Sequence, residues 1–281
     1  MTDSRNGIGV RYATVLRTAW ITPHMIRVVL GGDGLTGFAA DAYTDHYVKL
    51  IFPPSGVDYP VPADLDAIKR ELPRDQWPRL RTYTVRAWDA AARELTLDFV
   101  YHGDEGLAGP WAAAARPGDQ VMFRGPGGAY APDPTADWHL LVGDESALPA
   151  IGAALERLPH GAPARVFVEV SGPAEEQHLP TDGAAEILWV HRNGRSVGDA
   201  LVEAVRAATF PDGDPHAFVH GEAYFVRELR RLLRGELLRV PKERLSISGY
   251  WRRGDDDESW RSAKPEWNRQ VEAEEQTATV G

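Results

Sequence analysis

The 281-residue sequence contains no cysteine. This absence excludes disulfide bonds, thiolate zinc sites, cysteine-held iron–sulfur clusters and a cysteine nucleophile. Any redox chemistry in this protein would therefore have to use a bound organic cofactor.

An excess of positive charge and a long apolar run are also missing. The formal net charge is -10, whereas a protein that binds duplex nucleic acid needs a basic face for the phosphates. No apolar run approaches the roughly 20 residues that span a bilayer, and the N-terminus lacks the basic-then-apolar order of a secretory signal. We therefore expect no nucleic-acid partner, no membrane insertion and a cytoplasmic location.

Length and composition predict two globular domains. Apolar residues make up 43% and charged residues 26% of the chain, which are ordinary values for a folded protein, and single cores usually split near this length. Short β-type segments fill the first part of the chain, and strands alternate with helices after the segment "YAPDPTAD". We predict an antiparallel six-stranded β-barrel over residues 1–132 and an α/β domain with a parallel sheet over residues 133–281.

One predicted barrel strand, "RTYTVR" at residues 81–86, combines a cation, an aromatic ring and a hydroxyl. Residues two apart share a face of a strand, so Arg81 and Tyr83 would point one way and Thr84 the other. A dinucleotide such as FAD suits this set, with the guanidinium on the pyrophosphate, the ring on the isoalloxazine and the hydroxyl at the polar edge of the flavin. The alternative is an ordinary strand with exposed arginines and a core tyrosine.

Glycines follow the next predicted strand, in "HGDEGLAGPWA". Gly109 would let the backbone approach a ligand closely, and Pro110 would start a helix at Trp111 whose first amides meet a phosphate. His102 is a further candidate for a flavin contact. The alternative is a glycine-rich connection with a packing helix, and a lone histidine is more often structural.

The predicted turn "GDESALPAI" opens the α/β half. Such turns lie at the carboxyl ends of parallel strands, where ligands bind. Asp144 would suit the hydroxyls of ribose or the amines of adenine better than a phosphate, and Ser146 is the predicted N-cap of the next helix. The alternative is an N-capped helix with an acidic first turn and no ligand.

The segment "GYWRRG" ends the last predicted strand with two aromatic rings and two cations. Trp251 would cover a flavin or its adenine, while Arg252 and Arg253 would face an anionic substrate. The alternative is an aromatic anchor that ties the C-terminal tail to the core.

Taken in order, these motifs resemble the siderophore-interacting protein family of ferric-siderophore reductases, within the ferredoxin-reductase superfamily. The matching segments are "RTYTVR", "HGDEGLAGPWA", "GDESALPAI", "GEA" before an arginine-rich helix, and "GYWRRG". The resemblance extends from about Tyr12 to Gly254. It implies an N-terminal barrel that binds FAD and a C-terminal α/β domain of the nicotinamide-binding type.

The resemblance also implies roles for individual residues. Arg81 would hold the FAD phosphates, Tyr83 would stack on the flavin and Thr84 would contact the edge of its ring. The other implied cofactor-binding residues are Val100, His102, Gly109, Pro110, Trp111, Asp144, Ser146, Ala147 and Trp251. The family binds anionic ferric chelates at a basic patch, and the candidates here are Lys49, Arg252 and Arg253. No catalytic side chain and no protein-bound metal are expected, because the chemistry takes place on the flavin.

The leading hypothesis is therefore a reductase that passes electrons from NAD(P)H through FAD to a ferric siderophore and so releases Fe(II). Arg227 and Arg230 would meet the 2′-phosphate of NADPH, or else form a solvated helix face. Ferredoxin is a possible donor in place of NAD(P)H. The alternative functions are a general NAD(P)H-flavin or ferredoxin-type reductase serving a protein partner, and a non-catalytic module that binds flavin or siderophore.

Overall fold

The computed structural model describes residues 9–280, except for the side chains of residues 236 and 275–280. The chain divides into two compact units, Met1–Ala129 and Tyr130–Gly281. The strands of the first unit are β1 (Arg11–Thr22), β2 (Met25–Gly31), β3 (Tyr47–Phe52), β4 (Arg79–Asp89), β5 (Glu94–Val100) and β6 (Gln120–Gly127). They form a closed antiparallel barrel in the order β1-β2-β5-β4-β3-β6, which confirms the predicted six-stranded barrel.

The barrel core follows from the period-two pattern of its strands. On β5, Leu95, Leu97 and Phe99 all lie in the buried barrel core. A short helix, α1 (Leu65–Glu71), lies in the segment between β3 and β4. It packs Leu65 on Ile51, on the outer face of β3. Together with the barrel core, this second small cluster fixes β3 from both sides.

Helix α2 (Ala108–Ala114) follows β5 and begins three residues before the predicted start at Trp111. Pro110 is accommodated in the first turn, because the amides there have no partner inside the helix. Ala108 and Ala112 are buried in the barrel core, and the Trp111 ring packs against it. The helix therefore belongs to the barrel.

The second unit is built on a parallel sheet, as predicted. Its strands are β7 (Trp138–Gly143), β8 (Pro163–Val170), β9 (Ala184–His191), β10 (Pro215–Glu222) and β11 (Leu245–Trp251), in the order β11-β10-β7-β8-β9. Its helices are α3 (Leu148–Leu155), α4 (Asp199–Ala207), α5 (Ala223–Arg231) and α6 (Asp257–Val280). The strand order reverses between β7 and β10, and ligands of open α/β sheets bind outside the carboxyl ends at such a switch point.

One helix start in the second unit differs from the prediction. Helix α3 is capped by Ala147 without a side-chain bond, so the predicted N-cap role of Ser146 is wrong. The Ser146 hydroxyl instead donates to Asp144, at 2.5 Å. Helix α6 begins before Pro265, within an acidic run whose charge is favourable at a helix N-terminus. Within residues 9–280, no helix has the length and hydropathy needed to cross a membrane.

Two buried histidines predict how the stability of the protein depends on pH. Burial lowers the pKa of His139 to about 4 and that of His220 to about 3. The unfolded chain would bind protons at these imidazoles near pH 6.5. As the pH falls from there towards the folded pKa values, the unfolded state therefore binds more protons, and the free energy of unfolding decreases.

We expect His220→Phe to make this pH dependence less steep by about 1.4 kcal/mol per pH unit, the value of one proton. Phenylalanine keeps the ring contact with Phe218, whose centroid lies 4.0 Å away. Urea unfolding at several pH values between about 4 and 7 measures the slope. The control is His160→Phe, at an exposed position. Equal slopes for wild type and His220→Phe would show that His220 binds protons equally in the folded and the unfolded state.

Candidate functional site

Strand β4 carries three predicted FAD-binding residues at one place. Tyr83 packs against the barrel core, with its ring centroid 4.2 Å from that of Phe99. Arg81 is partly exposed, and its Nη1 donates to the carbonyl of Leu80 at 2.9 Å. Thr84 is buried. The strand thus places a ring and a guanidinium two residues apart.

The end of β5 and the start of α2 meet beside these residues. A Cβ atom at Gly109 would lie 3.2 Å from the carbonyl oxygen of Val100, so the close approach of helix and strand favours glycine there. The Trp111 ring lies 5.5 Å from Phe99, centroid to centroid. Tyr83, Phe99 and Trp111 therefore form a row of aromatic rings, which we call the ring row.

The connection between β5 and α2 is open and glycine-rich. Gly103 and Gly106 have φ values of 78° and 84°, in the left-handed region that glycine enters without strain. No atom lies within 4 Å of a Cβ built on either residue. Pro110 is partly buried, and His102 is exposed and forms an isolated bridge with Asp104.

The residues present fit FAD. Aromatic rings suit a planar isoalloxazine, and a guanidinium suits a pyrophosphate. The glycines allow the backbone to approach a ligand closely. The structure places Arg81 and Tyr83 on β4, Val100 at the end of β5, and Gly109 and Trp111 on α2, all in the first unit. These residues remain the predicted contacts of a flavin dinucleotide.

A basic rung lies on the outer face of the barrel. Lys49 on β3 pairs with Thr82 on β4 and with Arg124 on β6. Within the described residues, the buried Nε of Arg124 has no hydrogen-bond partner. Lys49 is predictable from the sequence and Arg124 is not, because only the register of β3 with β6 places the two cations side by side.

In the second unit, hydrogen bonds to the side chain of Asp144 link the carboxyl ends of three strands. It is fully buried, and burial raises the pKa of its carboxyl to about 6. One oxygen accepts from the amide and hydroxyl of Ser146, and the other accepts from the Glu222 amide and from Nε1 of Trp251, at 2.9 and 2.8 Å. The carboxylate therefore holds the turn together through four hydrogen bonds, while Ala147 lies buried at the start of α3.

The structure places the two predicted substrate arginines of this unit in different environments. Nε of Arg252 donates to Asp255 at 2.7 Å, and its guanidinium lies 5.3 Å from the Trp260 ring centroid. Arg253 is exposed, and its backbone amide donates to Glu222. The guanidinium of Arg252 is thus partly engaged within the unit, whereas that of Arg253 faces solvent.

A buried ion network lies at the ends of β8 and β9 and was not found from the sequence. Glu169 is fully buried and accepts from the amides of Gly198 and Leu201, at the start of α4. Its burial raises the pKa of the carboxyl. Arg192 forms a double hydrogen bond with Glu145, at 2.5 and 2.7 Å, and also contacts Glu169. The network joins three strand ends that are distant in sequence, so no local motif marks it.

Helix α5 carries the arginines expected to meet a 2′-phosphate. Arg227 donates twice to Glu274 on α6, at 2.9 and 2.6 Å. Arg230 lines a groove between α5, β11 and α6. The sequence had offered a solvated helix face as the alternative, and the ion pair of Arg227 with α6 favours that interpretation for this residue.

Comparison with protein families identifies both units. Residues 14–130 match the siderophore-interacting FAD-binding domain, and residues 136–254 match the siderophore-interacting protein domain. The chain belongs to the siderophore-interacting protein family. This confirms the resemblance seen in the sequence, and the two matches include every residue predicted to bind cofactor or substrate. The roles of those individual residues stay predictions.

Several relatives of this siderophore-interacting protein cover nearly its whole length. It is 49% identical to an uncharacterised protein of Mycobacterium tuberculosis, over 90% of this chain and 93% of that protein. It is 34% identical to the ferric vibriobactin reductase ViuB of Vibrio cholerae, over 89% and 92% of the two chains. It is 31% identical to the NADPH-dependent ferric-chelate reductase of Escherichia coli, over 88% and 94%. A crystal structure of a siderophore utilization protein from T. fusca superposes with a TM-score of 0.75 at 38% identity, covering 88% of this chain and 94% of that chain.

Proposed function

We propose that this siderophore-interacting protein is an FAD-dependent oxidoreductase that reduces ferric siderophores with NAD(P)H as the electron donor. The observation that carries the proposal is the ring row with Arg81 on a barrel that matches the siderophore-interacting FAD-binding domain. The relatives named as ferric vibriobactin reductase and NADPH-dependent ferric-chelate reductase support the same activity. Bound FAD supplies the conversion of a two-electron hydride donor into a source of single electrons.

The residues of the barrel bind and orient the cofactor in this proposal. Tyr83 provides a ring for the isoalloxazine, Arg81 binds the pyrophosphate and Thr84 contacts the polar edge of the flavin. The approach of Gly109 to Val100 leaves the amides of the first α2 turn beside the same region. No side chain has to act as an acid or base, because the protein contributes position and electrostatics.

The basic rung provides the binding surface for the ferric chelate. Lys49 and Arg124 lie side by side on β3 and β6, and Thr82 adds a hydroxyl on the other side of Lys49. The rung adjoins the Tyr47–Thr84 pair of the same two strands. Two neighbouring cations attract an anionic complex, so ferric tris-catecholates, which carry several negative charges, suit this surface better than neutral complexes do. Ferredoxin as a donor and the cytoplasmic location stay predictions.

Replacing Arg124 or Lys49 by alanine is expected to lower kcat/KM for a ferric tris-catecholate about tenfold, equivalent to about 1.4 kcal/mol. The rate of flavin reduction by NAD(P)H should stay within about twofold of wild type, since the proposal assigns the rung to the chelate and not to the donor. Steady-state kinetics and anaerobic stopped-flow absorbance measure the two quantities.

The control is Arg116→Ala, which removes an exposed arginine outside the basic rung and should leave both quantities unchanged. A neutral ferric trihydroxamate provides a second comparison, since its kcat/KM should fall much less. Wild-type kcat/KM for the catecholate in both rung variants would exclude this surface as the chelate site.

A further inference from the structure

A groove with an excess of positive charge lies in the second unit, between α5, β11 and α6, and we call it the basic groove. Its volume is about 250 Å³, and its described lining consists of three cations, two neutral polar side chains, two apolar side chains and one carboxylate. The cations are Arg230, Arg234 and Lys242, and the carboxylate is Glu272. In a chain with a formal net charge of -10, such a local excess of cations attracts anions to one place.

The end of α5 determines the positions of the two arginines. Arg230 and Arg234 are four residues apart, a spacing that brings two helical side chains to the same face. After Arg231 the helix continues into a π-helical turn, Leu232–Glu236, and such turns are frequent at functional sites. Nη1 of Arg234 donates to the Val240 carbonyl at 3.2 Å, so this guanidinium is fixed to the segment that leads into β11.

Strand β11 and helix α6 add neutral donors to the basic groove. Among the described strands, β11 is at the edge of its sheet and pairs with β10 alone. Ser248 on β11 contributes a hydroxyl, and Asn268 on α6 contributes an amide. Guanidinium, ammonium, hydroxyl and amide groups all donate hydrogen bonds, and phosphate oxygens accept from each of them.

The carboxylate of the basic groove is held weakly. Nζ of Lys242 lies 3.7 Å from Oε1 of Glu272, and the two side chains are 71% and 50% exposed. Exposed ion pairs of this kind contribute little to stability, so an anion with several charges can replace Glu272 beside Lys242. Because Glu272 repels any anion that enters, its removal should increase the affinity of the groove.

The basic groove lies away from the edge of the sheet at which nucleotides bind. Ligands of open α/β sheets lie outside the carboxyl ends of the strands, and α5 begins there with Ala223, directly after β10. Arg230 lies about 10 Å along the helix from Ala223, at about 1.5 Å per residue. Lys242 comes shortly before Leu245, the first residue of β11. The groove therefore lies towards the amino end of β11.

We propose that the basic groove is a binding site for a small phosphate compound, separate from the sites for FAD, the electron donor and the ferric chelate. The ligand class is pyrophosphate or a small phosphate monoester, because the groove is smaller than the roughly 300–1,000 Å³ of pockets for drug-sized ligands. Leu245 and Ile247 provide apolar contacts for the organic part of an ester. Arg230, for which the sequence predicted a contact with the 2′-phosphate of NADPH, binds this anion instead. The inference does not depend on the proposed function.

The test is calorimetric titration of the full-length protein, saturated with FAD and with an excess of NADP⁺, using pyrophosphate as the probe. Arg230→Gln and Lys242→Gln should each weaken pyrophosphate binding about tenfold, because each removes a charge-assisted hydrogen bond. Glu272→Gln should strengthen binding about threefold, since it removes an exposed opposing charge. Inorganic phosphate and glycerol 3-phosphate, as further probes, separate free phosphate from a phosphate ester.

Arg231→Gln is the matched control, because Arg231 is an exposed arginine of the same helix and does not line the basic groove. It should leave pyrophosphate binding unchanged. Wild-type affinity in both Arg230→Gln and Lys242→Gln, or weaker binding in Glu272→Gln, would overturn the inference. Displacement of pyrophosphate by NADP⁺ would also overturn it, since the phosphates of the donor would then occupy the same site. A wild-type protein that binds none of the three phosphate probes would leave the groove without this role, whatever its activity towards ferric chelates.

Discussion

Arg81→Ala is expected to emerge from purification without bound FAD and to bind added FAD about a hundredfold more weakly than wild type. A guanidinium forms two parallel charge-assisted hydrogen bonds with a pyrophosphate. Each hydrogen bond to a charged group contributes about 1.5–3 kcal/mol, and about 2.7 kcal/mol corresponds to a hundredfold. The visible flavin absorbance of the purified protein and a fluorescence titration with FAD measure the loss.

Two further variants separate the role of Arg81 from a general effect on the barrel. Arg17→Ala removes an arginine of β1 that pairs with Glu94 on the surface, and it should keep full FAD binding. Arg81→Lys should bind FAD with intermediate affinity, because lysine keeps the charge but loses the planar fork. A yellow Arg81→Ala protein with wild-type affinity would remove Arg81 from the cofactor site.

Asp144→Ala is expected to lower the free energy of unfolding by about 3 kcal/mol near pH 7. The substitution leaves Nε1 of Trp251, the Glu222 amide and the Ser146 amide without their acceptor, and each buried unpaired donor costs about 1–3 kcal/mol. Part of this loss is offset, because the ionised carboxylate no longer has to be buried. Urea unfolding monitored by tryptophan fluorescence measures the difference.

The pH dependence of this effect has a definite sign. Burial raises the pKa of Asp144 to about 6, above the unfolded value near 3.9. The stabilisation linked to its protonation is therefore complete below the unfolded pKa and is lost as the pH rises through about 6. The destabilisation caused by Asp144→Ala should accordingly be larger at about pH 5 than near pH 7.

A surface carboxylate of the same unit is the control for Asp144. Glu203 forms an exposed ion pair with Arg195, and Glu203→Ala should change the free energy of unfolding only slightly, because exposed pairs contribute little. If Asp144→Ala were as stable as Glu203→Ala, the four hydrogen bonds of Asp144 would not hold the strand ends together.

Local patterns were sufficient to predict the architecture. Alternation on strands such as β5 marks a half-buried antiparallel sheet, and apolar residues at helical spacing mark α3. The exact starts of helices were less predictable, because they depend on which neighbouring group satisfies the first amides. Ser146 has the right chemistry for an N-cap, but its hydroxyl donates a hydrogen bond to the Asp144 carboxylate two residues earlier.

The candidate site was predictable where it depends on one strand or one turn. Arg81, Tyr83 and Thr84 are almost adjacent in sequence, so their common location requires no knowledge of the fold. Arg124 requires the pairing of β3 with β6, and the contact of Arg192 with Glu169 requires the register of β8 with β9. Such long-range pairings are set by the closed barrel and by the sheet order, which a single sequence does not encode locally.

The central claim is that this chain uses FAD to pass electrons from a nicotinamide nucleotide to a ferric siderophore. The most direct measurement is anaerobic: the FAD-loaded protein is reduced by stoichiometric NADH or NADPH, then mixed with a ferric tris-catecholate and a chelator that reports Fe(II). We predict that the visible flavin absorbance disappears with the nucleotide and returns with the chelate, as two Fe(II) form for each two-electron reduction. Flavin absorbance that stays bleached with every ferric chelate, with no Fe(II) formed, would contradict the claim.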